Sequence, residues 1–409
     1  CLGRLAEICD GLDVEWTVIG RFTGDRRLRV RCGERTVAEL DMQFLHHGWS
    51  RQMLSAEWSP SLSQEPVINP PGELTSRPWP LLTQPAVASK EAVIRRYDHE
   101  VRGATVIKPL VGVASDGPSD AAVLRPLEVG GWRGLALGCG VNPHYGMIDP
   151  YAMAWAVIDE AVRNVVAVGA DPDRIALLDN FCWGNPALPD RLGGLVRAAQ
   201  GCHDAALAYR TPFISGKDSL NNEYLDASGH KRTIPPTLLI SAVGIVPDVR
   251  QAVTMDLKAP DNLVYCVGLT RAELGGSLYH RLHAAPGRSL PQPVRDARMT
   301  MTALHRAIRA GWVCACHDLS EGGLAVAAAE MCIAGRLGLE LDLAPLPRAP
   351  EVVTDPAALF SESSARFLVE VAPPAVTAFE GAMVGRPCAC VGRVTTAQKL
   401  TVHGLSGAL

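Results

Sequence analysis

The sequence contains no block of like charge and no long hydrophobic run. Its 39 Lys and Arg residues nearly balance its 43 Asp and Glu residues, and the formal net charge is −4. A surface that binds nucleic acid or a membrane is therefore not expected. The longest apolar stretches, residues 237–246 and 134–141, are much shorter than the ~18–20 residues of a membrane span. With 47% hydrophobic and 20% charged residues, the composition is typical of a soluble globular protein.

The twelve cysteines do not show the CxxC spacing of common zinc sites. Cys314 and Cys316, followed by His317, and Cys388 and Cys390 form CxC pairs in segments that resemble strands. This spacing does not decide whether the first group binds a metal. Several other cysteines lie inside apolar runs, which favours buried free thiols in a reducing cytoplasm over disulfides: Cys139, Cys182, Cys266 and Cys332.

At 409 residues, the chain is longer than one hydrophobic core usually supports, so two or more domains are expected. Residues 1–58 have the pattern of a helix followed by three strands, at 14–22, 27–31 and 35–41. Residues 59–86 are rich in proline, which disfavours helices and central strands. This segment is predicted to be an extended linker.

Residues 87–252 and 253–409 both alternate strand-like and helical patterns, which predicts two α/β domains. In the first, the patterns predict strands at 135–139, 175–178, 212–215 and 238–246 and helices at 150–168 and 190–209. In the second, they predict strands at 263–268, 312–316, 367–371 and 389–394 and helices at 296–310, 322–334 and 375–383.

The clearest local signal is the helix that begins at Asp149 and Pro150. Asp149 is a typical N-cap, and proline suits the first helical turn. One face of this helix carries four polar residues: Asp159, Glu160, Arg163 and Asn164. Two interpretations stay open: a solvated surface, or oxygen donors at Glu160 and Asn164 that face a hard cation such as Mg²⁺.

Two loops combine polar side chains with turn residues. Residues 115–120 (SDGPSD) carry two carboxylates, which either bind a metal–nucleotide or form a simple Asx turn. Residues 214–219 (ISGKDS) resemble the end of a phosphate-binding loop, but Thr211 stands where a Walker A loop requires glycine. Phosphate contact and ordinary turn chemistry both remain open there.

A third loop, residues 317–323 (HDLSEGG), connects a predicted strand to an alanine-rich helix. Ser320 is predicted to cap that helix, and the free amides of a helix start bind anions. The alternative is a capped helix with glycines that serve packing alone. His317 by itself is more typical of a buried structural histidine than of a catalytic one.

Seven segments, in this order along the chain, carry a family resemblance: 141–143 (VNP), 145–146 (YG), 148–151 (IDPY), 159–169 (DEAVRNVVAVG), 178–186 (LDNFCWGNP), 213–219 (FISGKDS) and 317–324 (HDLSEGGL). They resemble the phosphoribosylformylglycinamidine synthases of purine biosynthesis, and the similarity runs from about residue 10 to the end of the chain.

The resemblance implies a layered α/β fold with the N- and C-terminal domain pair of aminoimidazole ribonucleotide synthetase. Residues 87–252 and 253–409 would be that pair in the second of two tandem repeats, and residues 1–58 the closing part of the first repeat's C-terminal domain. We expect the chain to be a fragment of a longer, cytoplasmic protein. Its partners would be the upstream repeat, which holds the catalytic histidine, and a glutaminase subunit or domain.

The implied reaction is the ATP-dependent amidation of formylglycinamide ribonucleotide with glutamine-derived ammonia. ATP phosphorylates the amide oxygen, and ammonia then displaces phosphate to give the amidine. Such phosphoryl transfer needs Mg²⁺ and aligned donors. Because the resemblance places the catalytic histidine upstream, no catalytic residue is expected within this chain, and the fragment alone is predicted to be inactive.

The resemblance also implies two groups of site residues. The first would hold Mg²⁺ and ATP or ADP at an auxiliary nucleotide site: metal ligands Asp120, Glu160, Asn164 and Asp318, with Ser119 and Ser320 near the nucleotide. The second would be lent to the active site: Asp179 and Gly216 for ATP, Lys217 for phosphate and Ser219 for substrate. Smaller relatives have an asparagine at the position of Lys217, which makes a phosphate contact there a better prediction than a metal contact.

Two other functions are compatible with this sequence. One is a catalytically silent half whose bound ADP and Mg²⁺ serve structure. The other is a different substrate on the same fold, as in selenophosphate synthetase or thiamine phosphate kinase. Residues 213–219 and the preceding partial domain favour the synthase over the latter.

Overall fold

The computed structural model describes residues 1–49, 52–60, 64–66, 78–98, 100–284, 286–405 and 407–408. The chain forms two compact units, Cys1–Leu54 and Ser55–Leu409. Within the predicted linker, residues 61–63 and 67–77 lie outside the described residues. None of the described helices combines the length and the apolar character needed to cross a membrane.

The smaller unit contains two helices and one hairpin: α1 (Leu2–Gly11), β1 (Arg27–Cys32), β2 (Arg35–Asp41) and α2 (Met42–His47). The hairpin confirms two predicted strands, and its turn places Gly33 at a φ of 58°. The strand predicted at residues 14–22 is wrong, because these residues form no helix or strand. A strand needs a neighbour for its backbone groups, and β1 and β2 pair with each other.

The larger unit begins with short elements: α3 (Pro78–Leu82), α4 (Glu91–Ile94), β3 (Thr105–Ile107), β4 (Leu110–Val111), β5 (Gly117–Pro118) and β6 (Ala122–Leu124). The expectation of a wholly extended linker is wrong at α3. A proline is tolerated in the first turn of a helix, where amides lack partners anyway. Leu81 of α3 is only 1% exposed, so this part of the linker contributes to a core.

The next elements complete a six-stranded sheet and add a separate hairpin of β10 and β11. They are β7 (Gly134–Val141), α5 (Pro143–Gly146), α6 (Pro150–Ala167), β8 (Ile175–Trp183), α7 (Pro189–Tyr209), β9 (Phe213–Leu220), β10 (Glu223–Leu225), β11 (Lys231–Thr233) and β12 (Thr237–Val246). The strand order is β3-β6-β7-β12-β8-β9, and only β8 and β9 are parallel. Buried residues alternate with partly exposed ones along β12, so one face of the sheet is covered, by α6 and α7, and the other is open. β9 forms one edge.

Helix α6 confirms the sequence interpretation of its ends. Asp149 accepts a hydrogen bond from the amide of Tyr151 (2.9 Å), Pro150 occupies the first turn, and Gly169 follows the helix with a φ of 108°. The helix lies close against β7, because a side chain at Gly140 would come within 2.1 Å of the carbonyl oxygen of Val157. Glycine is therefore required at this contact.

The remaining elements build a second sheet: β13 (Leu263–Val267), α8 (Leu278–Leu282), α9 (Ala297–Arg309), β14 (Ala315–Asp318), α10 (Gly323–Gly335), β15 (Gly338–Asp342), α11 (Asp355–Phe360), β16 (Phe367–Val371), α12 (Val376–Ala382), β17 (Cys388–Thr395), β18 (Leu400–Gly404) and β19 (Gly407–Ala408). Its order is β14-β16-β13-β17-β15-β18-β19, antiparallel except for β15 with β18. One hydrophobic cluster continues from the first sheet through α6 and α9 to β13 and β16.

Two sequence expectations need correction in this region. The strand predicted at 312–316 begins only at Ala315, because the amide of Trp312 still bonds to Ala307 at the end of α9. All twelve cysteines are free thiols, but the expectation of burial fails for Cys139, which is exposed on the open face of the first sheet. Alternation along β7 decides this, because an apolar run in a half-covered sheet still exposes every second residue.

Candidate functional site

The polar stripe of α6 lies between the two sheets rather than in solvent. Asp159 and Arg163 are only 1% and 3% exposed, so the solvated-surface interpretation is wrong for them. Asp159 accepts hydrogen bonds from Arg163, from the hydroxyl of Tyr209 and from the amide of Ala365 (2.9 Å). The side chain thus connects α6 to α7 and to the second sheet. A buried carboxylate of this kind needs such partners to offset the loss of solvation.

Arg163 connects the same helix to the loop after β14. Its guanidinium donates to Ser320 Oγ (2.9 Å) and lies 3.4 Å from Asp318 Oδ2. Burial opposes the positive charge, but the carboxylates of Asp159 and Asp318 raise the pKa of Arg163 above its usual value. Arg163 therefore stays charged and neutralises part of the negative charge that sequence reasoning assigned to a metal.

Asp120, His317 and Asp318 form the one cluster of potential metal ligands found among the described residues. One ligand atom from each lies within 4.8 Å of the others. Asp120 Oδ1 accepts hydrogen bonds from His317 Nδ1 (2.9 Å) and from the amide of Asp318 (2.8 Å). Asp120 Oδ2 is buried and has no hydrogen-bond partner among the residues that the structure describes. A buried carboxylate oxygen without a partner fits a cation site.

His317 does not serve as a ligand in this arrangement, because both of its ring nitrogens are engaged. Nδ1 contacts Asp120 and Nε2 contacts Glu330 Oε2 (3.1 Å). Burial alone lowers the pKa of an imidazole, but the charge and hydrogen bond of Asp120 and the contact with Glu330 raise the pKa of His317 well above its usual value. A protonated imidazole donates from both nitrogens and offers no lone pair to a metal. The oxygens of Asp120 and Asp318 remain as potential ligands.

Glu160 and Asn164 reach from α6 to the backbone of β7. Glu160 Oε2 accepts from the amide of Val141 (3.1 Å), and Asn164 Nδ2 donates to the carbonyl of Cys139 (2.8 Å). Burial, with the nearby charges of Glu321 and Asp318, raises the pKa of Glu160 well above its usual value. Glu160 thus lies within electrostatic reach of Asp318.

A narrow cleft separates Glu160 from the loop after β14. It is lined by Asn142, Tyr145, Ala156, Glu160, Arg163, Ser320, Glu321, Glu362 and Ser364. Asp120 is not part of this lining and lies behind Asp318, where it contacts His317. The structure therefore brings Glu160 and Ser320 to one cleft and Asp120 and Asp318 to one cluster beside it.

The two serines assigned to the nucleotide make local contacts. Ser119 Oγ donates to the carbonyl of Ala121 (2.9 Å), and Ser320 Oγ donates to Asp318. Ser320 does not cap α10, as the sequence predicts, because Gly322 is the N-cap and has a φ of 79°. A side chain at Gly323 would come within 2.4 Å of the carbonyl oxygen of Ser361. The two glycines are needed for this close turn, which delays the helix start.

The other carboxylate of the loop at residues 115–120 does not join the cluster. Asp116 pairs with Arg336 at the end of α10, whereas Asp120 turns towards His317. Of the two carboxylates in this loop, only Asp120 belongs to the cluster of potential metal ligands among the described residues. The turn residues between them point the two side chains in different directions.

Sequence reasoning missed three residues of the cleft: Tyr145 and Glu362, which are buried, and Glu321, which is half-buried. Glu362 accepts hydrogen bonds from the hydroxyl of Tyr145 and from the amides of Leu278 and Gly322 (both 2.8 Å). Burial, and then the charge of Glu362, raises the pKa of Glu321 to about 8. The signal in the sequence was the polar run at 361–364 (SESS) between an apolar helix and an apolar strand.

The second group of assigned residues lies on the paired strands β8 and β9. Asp179 faces Gly216 and Cys182 faces Ser219 in the parallel register. Because side chains alternate along a strand, Asp179 shares the helix-covered face with its neighbours in the core, whereas Lys217 and Ser219 lie on the open face. Lys217 Nζ donates to Ser219 Oγ. The four residues therefore form two pairs on opposite faces of the sheet.

Glycine is required at position 216 for a steric reason. A side chain there would lie 2.3 Å from Asp179 Oδ1, so only glycine leaves room for the carboxylate. Burial, followed by the charge of Asp218, raises the pKa of Asp179. Asp179 is thus a half-buried carboxylate with backbone beside it at Gly216.

Family models match two regions of the chain. Residues 118–246 match the model "AIR synthase related protein, N-terminal domain", and residues 259–404 match "AIR synthase related protein, C-terminal domain". The two matches together cover about two thirds of the chain and coincide with the first and second sheets. They confirm the α/β domain pair that the resemblance implied.

Curated relatives confirm the resemblance to phosphoribosylformylglycinamidine synthase. The chain is 35% identical over 407 residues to the synthase subunit PurL of Deinococcus radiodurans, covering 95% of this chain and 52% of the relative. It is 33% identical to PurL of Thermosynechococcus vestitus, covering 92% and 50%. The chain spans about half the length of the curated relatives it matches.

Solved structures show the same fold. A Thermotoga maritima PurL complexed with FGAR matches with a TM-score of 0.58 and 19% identity, covering 72% of this chain and 46% of that one. The same protein complexed with ATP matches with a TM-score of 0.58 and 17% identity, covering 80% and 48%. With both domains of the pair present in sequence and in structure, the chain belongs to the AIR synthase related family.

Proposed function

We propose that this chain supplies one half of a phosphoribosylformylglycinamidine synthase, a carbon–nitrogen ligase of purine biosynthesis. The observation that carries the proposal is the 35% identity over 95% of the chain to a curated synthase subunit. The reaction is the ATP-dependent amidation of formylglycinamide ribonucleotide, with ammonia derived from glutamine. A related structure contains FGAR and another contains ATP, which supports these two substrates.

The open edge of the first sheet supports a site shared with another domain. Within the described ranges of the chain, no strand pairs with the outer side of β9, and most of its residues are exposed. Lys217 and Ser219 lie on the open face beside this edge, and Ile214 and Leu220 are exposed apolar residues of β9 itself. An unpaired edge with apolar side chains is typical of a surface that another element covers. We infer that the upstream repeat covers it.

In this arrangement we assign a role to each of the four site residues on β8 and β9. The ammonium group of Lys217 neutralises a phosphate of ATP, and the hydroxyl of Ser219, already bonded to Lys217, orients the substrate. The missing side chain at Gly216 leaves space for the carboxylate of Asp179. Because β9 is an edge strand, a nucleotide lying along this edge would meet Lys217 from one face of the sheet and Asp179 from the other. Positioning and charge neutralisation are the main requirements of phosphoryl transfer.

The buried carboxylates between the sheets fit a divalent cation. Asp120 has an oxygen without a partner, and Asp318 and Glu160 carry further oxygens of the type that Mg²⁺ prefers. Asp120, Asp318, Glu160 and Asn164 would hold the ion, and Ser119 and Ser320 would lie near the phosphates of ATP or ADP. The ion would neutralise the phosphates of the nucleotide. Arg163 contributes one positive charge to the same cluster.

We propose the domain boundaries of the resemblance for the chain as a whole. Residues 87–252 and 253–409 form the domain pair of the second repeat, 59–86 connect it, and 1–58 close the preceding domain. The partners are the upstream repeat and a glutaminase subunit or domain. A cytoplasmic location remains a prediction.

The test measures amidine formation with ATP, formylglycinamide ribonucleotide and ammonium chloride, which removes the need for a glutaminase. One sample contains these 409 residues, and the other contains the chain joined to a segment that matches the remaining half of the relatives. We expect turnover only in the second sample. Turnover by the chain alone contradicts the shared site, and no turnover in either sample contradicts the proposed reaction.

A second candidate function has a specific observation in its favour. The cluster of Asp120 and Asp318 lies between the sheets, whereas Lys217 and Ser219 lie on the open face of the first sheet. A nucleotide held at the cluster would then stabilise the fold without reacting. This role is compatible with the first, because the two groups of residues do not share a side chain.

A further inference from the structure

An open pocket of about 510 Å³ lies at the N-terminal end of α6. Its walls come from α6, from α7 and from the segment 288–295 of the second domain. Three arginines reach it, Arg197, Arg288 and Arg295, together with the ring of Tyr151. The pocket shares no lining residue with the Asp120 cluster, the cleft beside it or β9. Its volume is within the roughly 300–1,000 Å³ of small-molecule sites.

Arg197 forms a rigid, neutralised wall of the pocket. Its Nε and Nη2 donate to the two carboxylate oxygens of Asp149, at 2.6 and 2.7 Å. The flat face of its guanidinium lies 3.9 Å from the ring centre of Trp58. Trp58 follows Glu57, whose carbonyl packs on Gly193 one turn earlier in α7. The pair with Asp149 and the stacking fix Arg197, so it shapes the pocket and adds little net charge.

Arg288 and Arg295 carry the remaining positive charge of the pocket. Within the described part of the chain, neither guanidinium forms an ion pair or hydrogen bond with a carboxylate. Asp204, a further carboxylate on this side, accepts a hydrogen bond from the hydroxyl of Tyr151 (2.8 Å) and pairs with His203. Asp149 is already occupied by Arg197. The two guanidinium groups are therefore not directly paired with a carboxylate among the described residues, although Arg295 lies within electrostatic reach of Asp204 and helps to lower its pKa.

The segment that carries these arginines is held by its backbone. Glu65 Oε2 accepts hydrogen bonds from the amides of Arg288 (2.9 Å) and Ser289 (3.2 Å). Glu273 Oε1 accepts from the amide of Gln292 (2.9 Å). Both carboxylates thus fix the main chain and leave the guanidinium of Arg288 free. A fixed backbone with free cationic side chains is pre-organised for an anion.

We propose that this pocket binds the phosphate group of a small phosphorylated metabolite. Arg288 and Arg295 hold the phosphate, because a planar guanidinium donates two parallel hydrogen bonds to phosphate oxygens. The ring of Tyr151 and the side chains of Ile148 and Leu290 contact the uncharged part of the ligand. The concave shape favours a small molecule over a flat protein surface. The proposal does not depend on the proposed amidation function.

The test titrates ribose 5-phosphate into the full 409-residue chain by calorimetry, with EDTA present so that no divalent ion contributes. The double variant Arg288→Gln/Arg295→Gln is compared with the control Arg102→Gln/Arg309→Gln, which removes two exposed charges elsewhere. We expect the pocket variant to bind ribose 5-phosphate about tenfold more weakly or worse, because the loss of each charge-assisted hydrogen bond raises the dissociation constant by about tenfold or more. The control variant is expected to bind like the parent chain.

Titrations with two further ligands test whether the pocket recognises the phosphate group. Ribose, which lacks the phosphate, is expected not to bind, and succinate, a dianion of different geometry, is expected to bind much more weakly. Unchanged affinity in the pocket variant, no binding by the parent chain at millimolar ribose 5-phosphate, or equal binding of succinate would each overturn the proposal. Thermal melting of both double variants shows whether they remain folded, which is expected because all four side chains are exposed.

Discussion

At the scale of single residues, burial decides which charges are free to act. Asp120 and Asp318 resemble a metal site, yet His317 and Arg163 already contribute positive charge to them. A single cation beside these carboxylates has to compete with a guanidinium and an imidazolium. What distinguishes the site from a closed ionic network is the unpartnered oxygen of Asp120. That oxygen is the residue-scale reason to expect a ligand there.

Replacing Glu160 by alanine is expected to weaken the binding of Mg-ADP by about tenfold or more, because a carboxylate at the cleft is lost. The measurement is calorimetric titration of Mg-ADP into both chains. Glu160→Gln is the matched control for shape, since an amide oxygen still accepts from the amide of Val141 but carries no charge. The glutamine variant is expected to show a smaller loss than alanine. Unchanged affinity in Glu160→Ala removes Glu160 from the metal site.

At the scale of elements, small residues determine how closely α6 packs on the first sheet. Gly140 of β7 faces the carbonyl of Val157, and Gly244 of β12 faces Ala170 just after the helix. This close approach brings Glu160 and Asn164 within reach of the β7 backbone. Helix-to-sheet distance is therefore part of the geometry of the candidate site.

The variant Gly140→Ala is expected to lower the free energy of unfolding by about 1–3 kcal/mol, because an added methyl group overpacks the interface. Its side chain would begin 2.1 Å from the oxygen of Val157. Gly130→Ala is the control, since nothing lies within 4 Å of that position. Urea denaturation followed by circular dichroism compares the two. Equal midpoints would show that the helix can move away from β7 at no cost.

At the scale of the whole molecule, the larger unit is held together across its two sheets by buried polar groups. Asp159 joins α6 to Tyr209 of α7 and to Ala365 next to β16. Arg163 joins the same helix to Asp318 and Ser320. The hydrophobic cluster that runs from one sheet to the other surrounds these contacts. The candidate metal cluster thus lies at a junction that the fold itself requires.

Asp159→Ala is expected to destabilise the larger unit by about 3 kcal/mol, because Arg163 loses a buried partner and Tyr209 and Ala365 lose an acceptor. The surface pair of Asp190 and Arg191 provides the contrast, since the Asp190 side chain is 63% exposed. Asp190→Ala is expected to cost about 1 kcal/mol or less. Guanidinium denaturation of both variants measures the difference. Similar losses would mean that the buried network contributes no more than a surface pair.

Local patterns were sufficient for most elements and for the family. The cap at Asp149, the proline after it and the glycine at 169 defined α6 to within one residue, and the apolar run at 238–246 predicted β12 to within one residue. The strand at 14–22 failed because its pairing partner is not a property of the local sequence. The cap at Ser320 failed because the helix begins only after Gly322, which has a φ of 79°, and the carbonyl of Ser361, distant in the sequence, leaves no room for a side chain at Gly323.

The amino-acid sequence by itself determined the two α/β domains and the balance of charge, because these follow from periodicity and composition. The residues of both candidate sites came from the family resemblance of seven segments and not from periodicity. Only the tertiary structure decided which side chains meet. It buried Asp159 and Arg163, engaged both nitrogens of His317, and separated Asp179 from Lys217 on two faces of one sheet. It also joined α6, α7 and the segment 288–295 around a cationic pocket. Such meetings depend on contacts between residues far apart in the chain, which no local pattern encodes.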